Sequence, residues 1–258
     1  MKRNPDYASV RSFTPPVWRI QHFPVLASTN DLALNRIREN RAVVGDVLVA
    51  AEQAAGRGRP GRAWSSPPGS LAMTAVLPFW PAQAGWTALA AGIAAAGAVR
   101  SLCGECGVKW PNDLILQGRK LGGILTEAAC MDLVAVGIGM NVCNPLPTDP
   151  ALAGRTASLC EVLPDVTVPD VLAAVLDALS DTWAHLAAGD RGALQKAWTR
   201  LDVTRGRTVI WSREGRRGVA AGIDETGGLR ILGSNGEVLI ATVGEICFED
   251  AAPAENEQ

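Results

Sequence analysis

Residues 56–70 read GRGRPGRAWSSPPGS, three arginines and four glycines among three prolines, with no acidic side chain. Arginine forks and glycine backbone N–H groups hold phosphates, so an anionic ligand is the first expectation for this loop. Further polar groups interrupt apolar surroundings at Ser28-Thr29-Asn30, at Gln53 just before the loop, at Lys109-Trp110-Pro111-Asn112-Asp113 and at Arg119-Lys120-Leu121-Gly122-Gly123. Gly137-Ile138-Gly139-Met140-Asn141 adds a strand end followed by an amide. Alone, each has a plain structural reading. Ser-Thr-Asn reads as a helix cap, the KWPND stretch as a turn, Trp64 and Trp110 as core, and Arg62 as a solvated loop residue. Together they supply what activation of a carboxylate by ATP requires. A lysine stabilises charge developing on the α-phosphate, a carboxylate holds Mg²⁺, and neutral amides and hydroxyls fix an uncharged polar ligand head.

Other chemistries fit less well. Gly56, Gly58 and Gly61 spell GxGxxG after the apolar run 47–51, but a dinucleotide fingerprint must open a helix. Pro60 and Ser65-Ser66-Pro67-Pro68-Gly69 make a loop instead. The chain has no Walker A string. Cys103 and Cys106 have CxxC spacing without a second such pair, and the two histidines, His22 and His185, are distant in sequence. Both histidines read as structural, one on a strand and one on a helix. Six cysteines without an export signal point to a reducing cytosol and free thiols. A net charge of −2 gives no global basic field for nucleic acid. No charge occurs from Ala63 to Val99, yet four prolines break this run, and Trp86 to Val99 is too short to cross a membrane. A buried helix is expected there.

From about residue 20 to 250 these motifs resemble those of biotin–protein ligases. GRGRPGRAW looks like the family's biotin- and adenylate-binding loop, KWPND its second signature, RKLGGILTE the strand of its essential lysine, and GIGMN its strand-end motif. Pro60 stands where a basic or small residue is common. The resemblance implies two steps. Biotin's carboxylate attacks the α-phosphorus of MgATP, giving biotinyl-AMP and pyrophosphate; a lysine of a biotin carboxyl carrier protein or domain then attacks the mixed anhydride. An amine cannot displace oxide from a free carboxylate, whereas AMP leaves readily. By motif match, Ser28, Thr29, Asn30 and Gln53 line the biotin pocket, and Gly56, Arg57, Gly58 and Arg59 close over biotin and adenylate. Lys120, flanked by Gly122 and Gly123, bridges biotin's carboxylate and the α-phosphate. Arg62, Trp64 and Asn141 serve the nucleotide. Asn112 and Asp113 face phosphates and Mg²⁺, with Asp113 also a base for the incoming amine. Lys120, Asp113 and Arg59 form the implied catalytic set, with ATP and Mg²⁺ as co-substrate and metal and no permanently bound cofactor. The same resemblance implies a cytoplasmic protein without a membrane partner, and leaves homodimerisation open. Only twenty-seven residues precede Ser28, so no specific DNA partner is expected. Lipoate–protein ligases share the chemistry, but their RxxGGG signature is absent here, and Ser-Thr-Asn with Gln53 suits a ureido head better than a dithiolane. A non-catalytic biotin sensor would be free to lose Lys120 and KWPND, which this chain keeps.

These residues need elements to position them. Trp18–Phe23 alternates as a strand, and a polar cap at Ser28–Asn30 opens a helix carrying Leu32, Leu34 and Ile37. Asp46–Glu52 and Leu71–Leu77 read as strands flanking the arginine–glycine loop, and Trp86–Leu102 as the buried helix. Val108–Trp110, Asp113–Leu116, Lys120–Thr126 and Leu133–Met140 form a strand-rich block with a tight turn at Gln117-Gly118. Residues 169–188 have helical apolar spacing. Composition changes near Thr204, where short β runs at 207–211, 217–223, 229–232, 237–242 and 245–248 alternate with turn signals. The expected fold class is α+β. A mixed-sheet catalytic domain with packed helices covers 1–203, a small SH3-like β-barrel 204–250, and a disordered tail 251–258.

Overall fold

Strand β1 (Arg19–Leu26) runs parallel to β2 (Asp46–Gln53), and helix α1 (Thr29–Arg38) connects them. The computed structural model that shows this describes residues 14–59, 62–149 and 153–249. Pro60 and the expected tail 251–258 lie outside the described residues. Strands β3 (Ser70–Pro78), β4 (Gly107–Lys109), β5 (Asp113–Leu116), β6 (Arg119–Ala128) and β7 (Leu133–Asn141) complete a seven-stranded sheet. Its order is β1-β2-β3-β7-β6-β5-β4, antiparallel beyond β2. The hairpin between β5 and β6 turns at Gln117 and Gly118, both at positive φ (49° and 74°), as a two-residue turn of this hand requires.

Strand alternation sorts the side chains between two layers. Leu71, Met73, Ala75 and Leu77 of β3 face a large core with Val136, Ile138 and Met140 of β7. That core is shared with α2 (Ala84–Cys103) and α3 (Val168–Ala187). On the opposite face, Leu48, Val76 and Ala135 pack against Ala33, Leu34 and Ile37 of α1. Local signals fix the helix ends. The Ser28 hydroxyl accepts from Asp31 N–H at the start of α1, and Thr167 with Asp170 makes a capping box at the start of α3. By length and composition α2 could cross a membrane, but Trp86, Leu89, Ile93 and Val99 are buried in the core.

A second, antiparallel sheet comprises β8 (Thr208–Trp211), β9 (Arg216–Ile223), β10 (Leu229–Leu232), β11 (Val238–Ala241) and β12 (Ile246–Phe248). Its order is β11-β10-β9-β8-β12. Two indoles tie it to the first layer: Trp86 Nε1 donates to the Glu225 carbonyl (2.9 Å) and Trp110 Nε1 to that of Gly227 (3.1 Å).

Two features depart from the sequence reading. That reading has no helix between 188 and 204, where α4 (Arg191–Leu201) forms under an Asp190 cap. Only Leu194, Trp198 and Leu201 are buried in it, a short apolar pattern. The expectation of free thiols fails at Cys143 and Cys160, which pair as a disulfide with Cα atoms 5.3 Å apart. The chain after β7 runs beside residue 160, where Cys160 N–H donates to the Val142 carbonyl, and this brings the sulfurs together. Cys103, Cys106, Cys130 and Cys247 are free. Burial pushes the Cys106 thiol up to about 12, which leaves the CxxC pair poorly suited to redox chemistry.

The face of β3 and β7 turned from α2 is built of small residues: Ala72, Thr74, Gly137 and Gly139. A Cβ on Gly137 would collide with Asn30 Oδ1. Gly137→Ala must displace Asn30 from its hydrogen bonds, at a cost of about 2 kcal/mol. An unchanged unfolding free energy in denaturant titration would contradict this packing.

Candidate active site

The small-residue face leaves a hollow in the sheet, and three elements furnish its polar floor. Thr29 and Asn30 begin α1, Gln53 ends β2, and Thr74 lies mid-β3. Gln53 Oε1 accepts from Thr29 N–H (2.8 Å) and lies 3.1 Å from the Thr29 hydroxyl, while Gln53 Nε2 donates to Ser66 Oγ (2.9 Å). The Thr74 hydroxyl lies 2.8 Å from that of Thr29 and 2.6 Å from Asn30 Oδ1. These groups are neutral, and a largely buried hydrogen-bonded network of this kind fixes the orientation of its members.

The arginine–glycine loop arches over the hollow. Trp64 N–H donates to the Gly56 carbonyl and Gly58 N–H to that of Arg62. A Cβ on Gly56 would strike the Trp64 carbonyl, so glycine lets the two sides of the loop close. The Trp64 indole fills the space over Gly139, and its Nε1 is buried without a hydrogen-bond partner among the described residues. Asn112 donates Nδ2 to the Ile124 carbonyl (2.7 Å), while its Oδ1 is likewise buried and has no partner among the described residues. Lys120 Nζ sits 2.6 Å from Asp113 Oδ1 and 5.7 Å from the Trp64 ring centroid.

Each cation of the loop meets a carboxylate. Arg57 forms a fork with Glu127 (3.1 and 2.7 Å) and also contacts Asp31 (2.7 Å). The Glu127 hydrogen bonds come first among the causes that hold its guanidinium pKa above the usual value. Arg59 donates to Glu245 (2.6 Å) and to the Gly244 carbonyl, and Arg62 also pairs with Glu245. Glu245 belongs to the loop before β12, so the second sheet reaches into the site.

The result is a narrow cleft of about 80 Å³ that opens to solvent at its mouth. Of the residues to which the family resemblance gives a role in binding or catalysis, all line it except Gly56, Gly122 and Asn141. Gly122 allows β6 to lie close on β7, since a Cβ there would meet the Gly139 carbonyl. Asn141 turns away from the cleft: Nδ2 donates to the Ala157 carbonyl (3.0 Å) and Oδ1 accepts from Asn144 (3.1 Å). The KWPND stretch divides. Asn112 and Asp113 face the cleft, Trp110 anchors the second sheet, and Lys109 lies over the Phe248 ring (4.8 Å), where burial lowers its pKa. His22 and His185 fall on β1 and α3, as read.

Reasoning from sequence misses Ser66, Thr74, Glu127 and Glu245. Thr74 carries a faint signal as the single polar residue of LAMTAVL, and Glu127 closes RKLGGILTE. Glu245 has no local signal, because its partners lie more than 180 residues away.

Residues 22–141 match the biotin/lipoate A/B protein ligase family. A biotin–[acetyl-CoA-carboxylase] ligase of Mycobacterium tuberculosis is 33% identical over 235 residues, which is 85% of this chain and 85% of that protein. The ligase of the same name from Paracoccus denitrificans is 31% identical over 75% of this chain and 86% of its own length. The biotin protein ligase of Aquifex aeolicus, solved in complex with biotin and ATP, aligns with a TM-score of 0.73 at 28% identity, covering 88% of this chain and 97% of that one. A polar floor, an arginine–glycine lid and a lysine between them thus occur on a chain that is a member of the biotin–protein ligases within the biotin/lipoate A/B protein ligase family.

Proposed function

We propose a division of roles within the cleft of an enzyme that activates biotin with ATP and transfers it to a lysine of a carboxyl carrier domain. The observation that carries it is the place of Lys120, between the neutral floor of Thr29, Asn30 and Gln53 and the cationic loop of Arg59 and Arg62. The ureido head of biotin lies on that floor with Ser28, and its rings lie over Ala72, beside the Trp64 indole. Its carboxylate points to Lys120. This hydrogen-bonding floor favours a ureido head over a dithiolane.

In the first step a biotin carboxylate oxygen bonds to the α-phosphorus while the bond to pyrophosphate breaks. Lys120 leaves Asp113 to bridge the carboxylate and the α-phosphate, and Arg59 and Arg62 take up phosphate charge. Trp64 and Asn112 meet the nucleotide with their unpartnered polar atoms. Gly123 allows ligand to approach β6, and Gly122 acts by keeping β6 and β7 close. Asn141 acts on the nucleotide side indirectly, by holding the segment after β7. Gly56, Arg57 and Gly58 close the lid and keep water from the mixed anhydride. In the second step the carrier amine forms a bond to the carbonyl carbon, AMP departs, and Asp113, released from Lys120, accepts the proton.

Mg²⁺ enters with ATP as its chelate. Among the described residues no group of three or more His, Cys, Asp or Glu could hold a metal. One cleft carboxylate, Asp113, suits an ion whose remaining ligands are phosphate and water. We further propose that the second sheet forms an SH3-like barrel over 204–250, distinct from a catalytic unit over 1–203. The proposed setting is the cytoplasm, with a carrier domain as protein partner and no sequence-specific DNA target.

The test combines the protein with ATP, Mg²⁺, a carrier domain and either biotin or lipoate, read by intact mass. Biotin alone is expected to add its acyl mass to the carrier. Addition of lipoate instead, or of neither, overturns the reading. Lys120→Ala is expected to slow pyrophosphate release about a hundredfold, on the order of 3 kcal/mol, with an unchanged circular dichroism spectrum. Release near the parent rate removes the role given to Lys120. Glu245→Ala frees two mutually repelling arginines from their placed positions. The KM for ATP should rise several-fold while the biotin dissociation constant stays unchanged; a reversed pattern would place Glu245 on the biotin side.

A further inference from the structure

We propose that Glu127 is a positioning residue that couples the biotin-head pocket to the arginine–glycine loop; this rests on the assignment of that pocket given above. Glu127 is the last residue of the lysine strand motif on β6, opposite Ala135 of β7, and it does not line the cleft. It touches both parts of the site from beneath. Its Oε2 accepts from Asn30 Nδ2 (2.9 Å) and from Arg57 Nη2 (2.7 Å), while its Oε1 accepts from Arg57 Nη1 (3.1 Å).

One oxygen is therefore shared by a floor amide and a lid guanidinium. On the floor side it fixes which way Asn30 faces. Asn30 Nδ2 meets only acceptors, the Leu125 carbonyl (3.2 Å) and Glu127, so Oδ1 must turn to the Thr74 hydroxyl. From Thr74 the hydrogen bonds run through the Thr29 hydroxyl, its backbone N–H and Gln53 to Ser66, at the far root of the same loop. The network thus leaves the loop at Arg57, crosses the floor, and returns to the loop at Ser66. A ligand that orders the floor strengthens the hold on both roots of the lid. Without Glu127, Arg57 keeps only Asp31, which is 47% exposed, and the lid root swings toward solvent.

Glu127→Gln separates the two contacts. The amide oxygen still accepts from Asn30, but the charged fork to Arg57 is lost. The expected result is a biotin KM raised up to about fivefold, the loss of one partly solvated ion pair, with kcat for carrier biotinylation within twofold. Tryptic cleavage after Arg57 and Arg62, suppressed by biotin in the parent, should persist in this variant. Glu127→Asp keeps the charge on a shorter arm and should recover part of the protection. Parent-like KM and biotin protection in a folded Glu127→Gln protein overturn the coupling, as does a fall in kcat with KM unchanged. Thr29→Val and Gln53→Ala test the pocket separately. Should they raise the biotin KM while Glu127→Gln does not, the coupling alone is wrong. Should they leave it unchanged, the pocket assignment fails and the inference with it.

Discussion

Cations crowd one cleft, and each is paired with a carboxylate. Lys120 meets Asp113, Arg57 meets Glu127 and Asp31, and Arg59 and Arg62 share Glu245. Without those partners the positive groups would repel one another and the lid would not rest on the hollow. The pairs are partly solvated, with side chains 37% exposed at Arg57 and 62% at Arg62. Pairs of this kind contribute at most about 1 kcal/mol each. They hold the arginines in place, yet an anion offering several charge-assisted bonds can displace the carboxylates. A strongly buried ion pair would be too costly to break.

That balance explains why the second sheet matters to chemistry performed on the first. Trp86 and Trp110 anchor the turn 224–228 to the first layer, and the same sheet carries Glu245 to the lid. Lys109 and Arg207 both lie on the ring of Phe248, at 4.8 and 4.2 Å, which adds to the same junction. The hollow itself follows from period-two alternation. One face of β3 and β7 is large and apolar for α2 and α3; the other is glycine, alanine and threonine, which leaves room for Asn30, Trp64 and a ligand.

Much of this was legible in the residues. Strands show as alternation, the β5–β6 turn as Gln-Gly, and the cleft as polar groups where apolar ones would continue a strand. The chain also carries motifs that resemble a known family, which assigned roles spacing alone could not. What stayed hidden depends on distant parts of the chain. An acid in a short β segment looks solvated until the fold sets Glu245 against Arg59 and Arg62. Glu127 reads as the polar end of a strand until Asn30 and Arg57 arrive from either side. Asn141 sits where its motif places it, but its amide turns to Ala157 and Asn144, an orientation that sequence does not encode locally. Cys143 and Cys160 have no spacing signal and meet only because the segment after β7 folds back.

The central claim is that this cleft joins biotin's carboxylate to AMP before any carrier is present. Isotope exchange between pyrophosphate and ATP measures that step alone. With the protein, Mg²⁺, ATP and labelled pyrophosphate, label should enter ATP only when biotin is added, and lipoate should not replace it. Exchange that is absent with biotin, or that proceeds equally without it, would contradict the account.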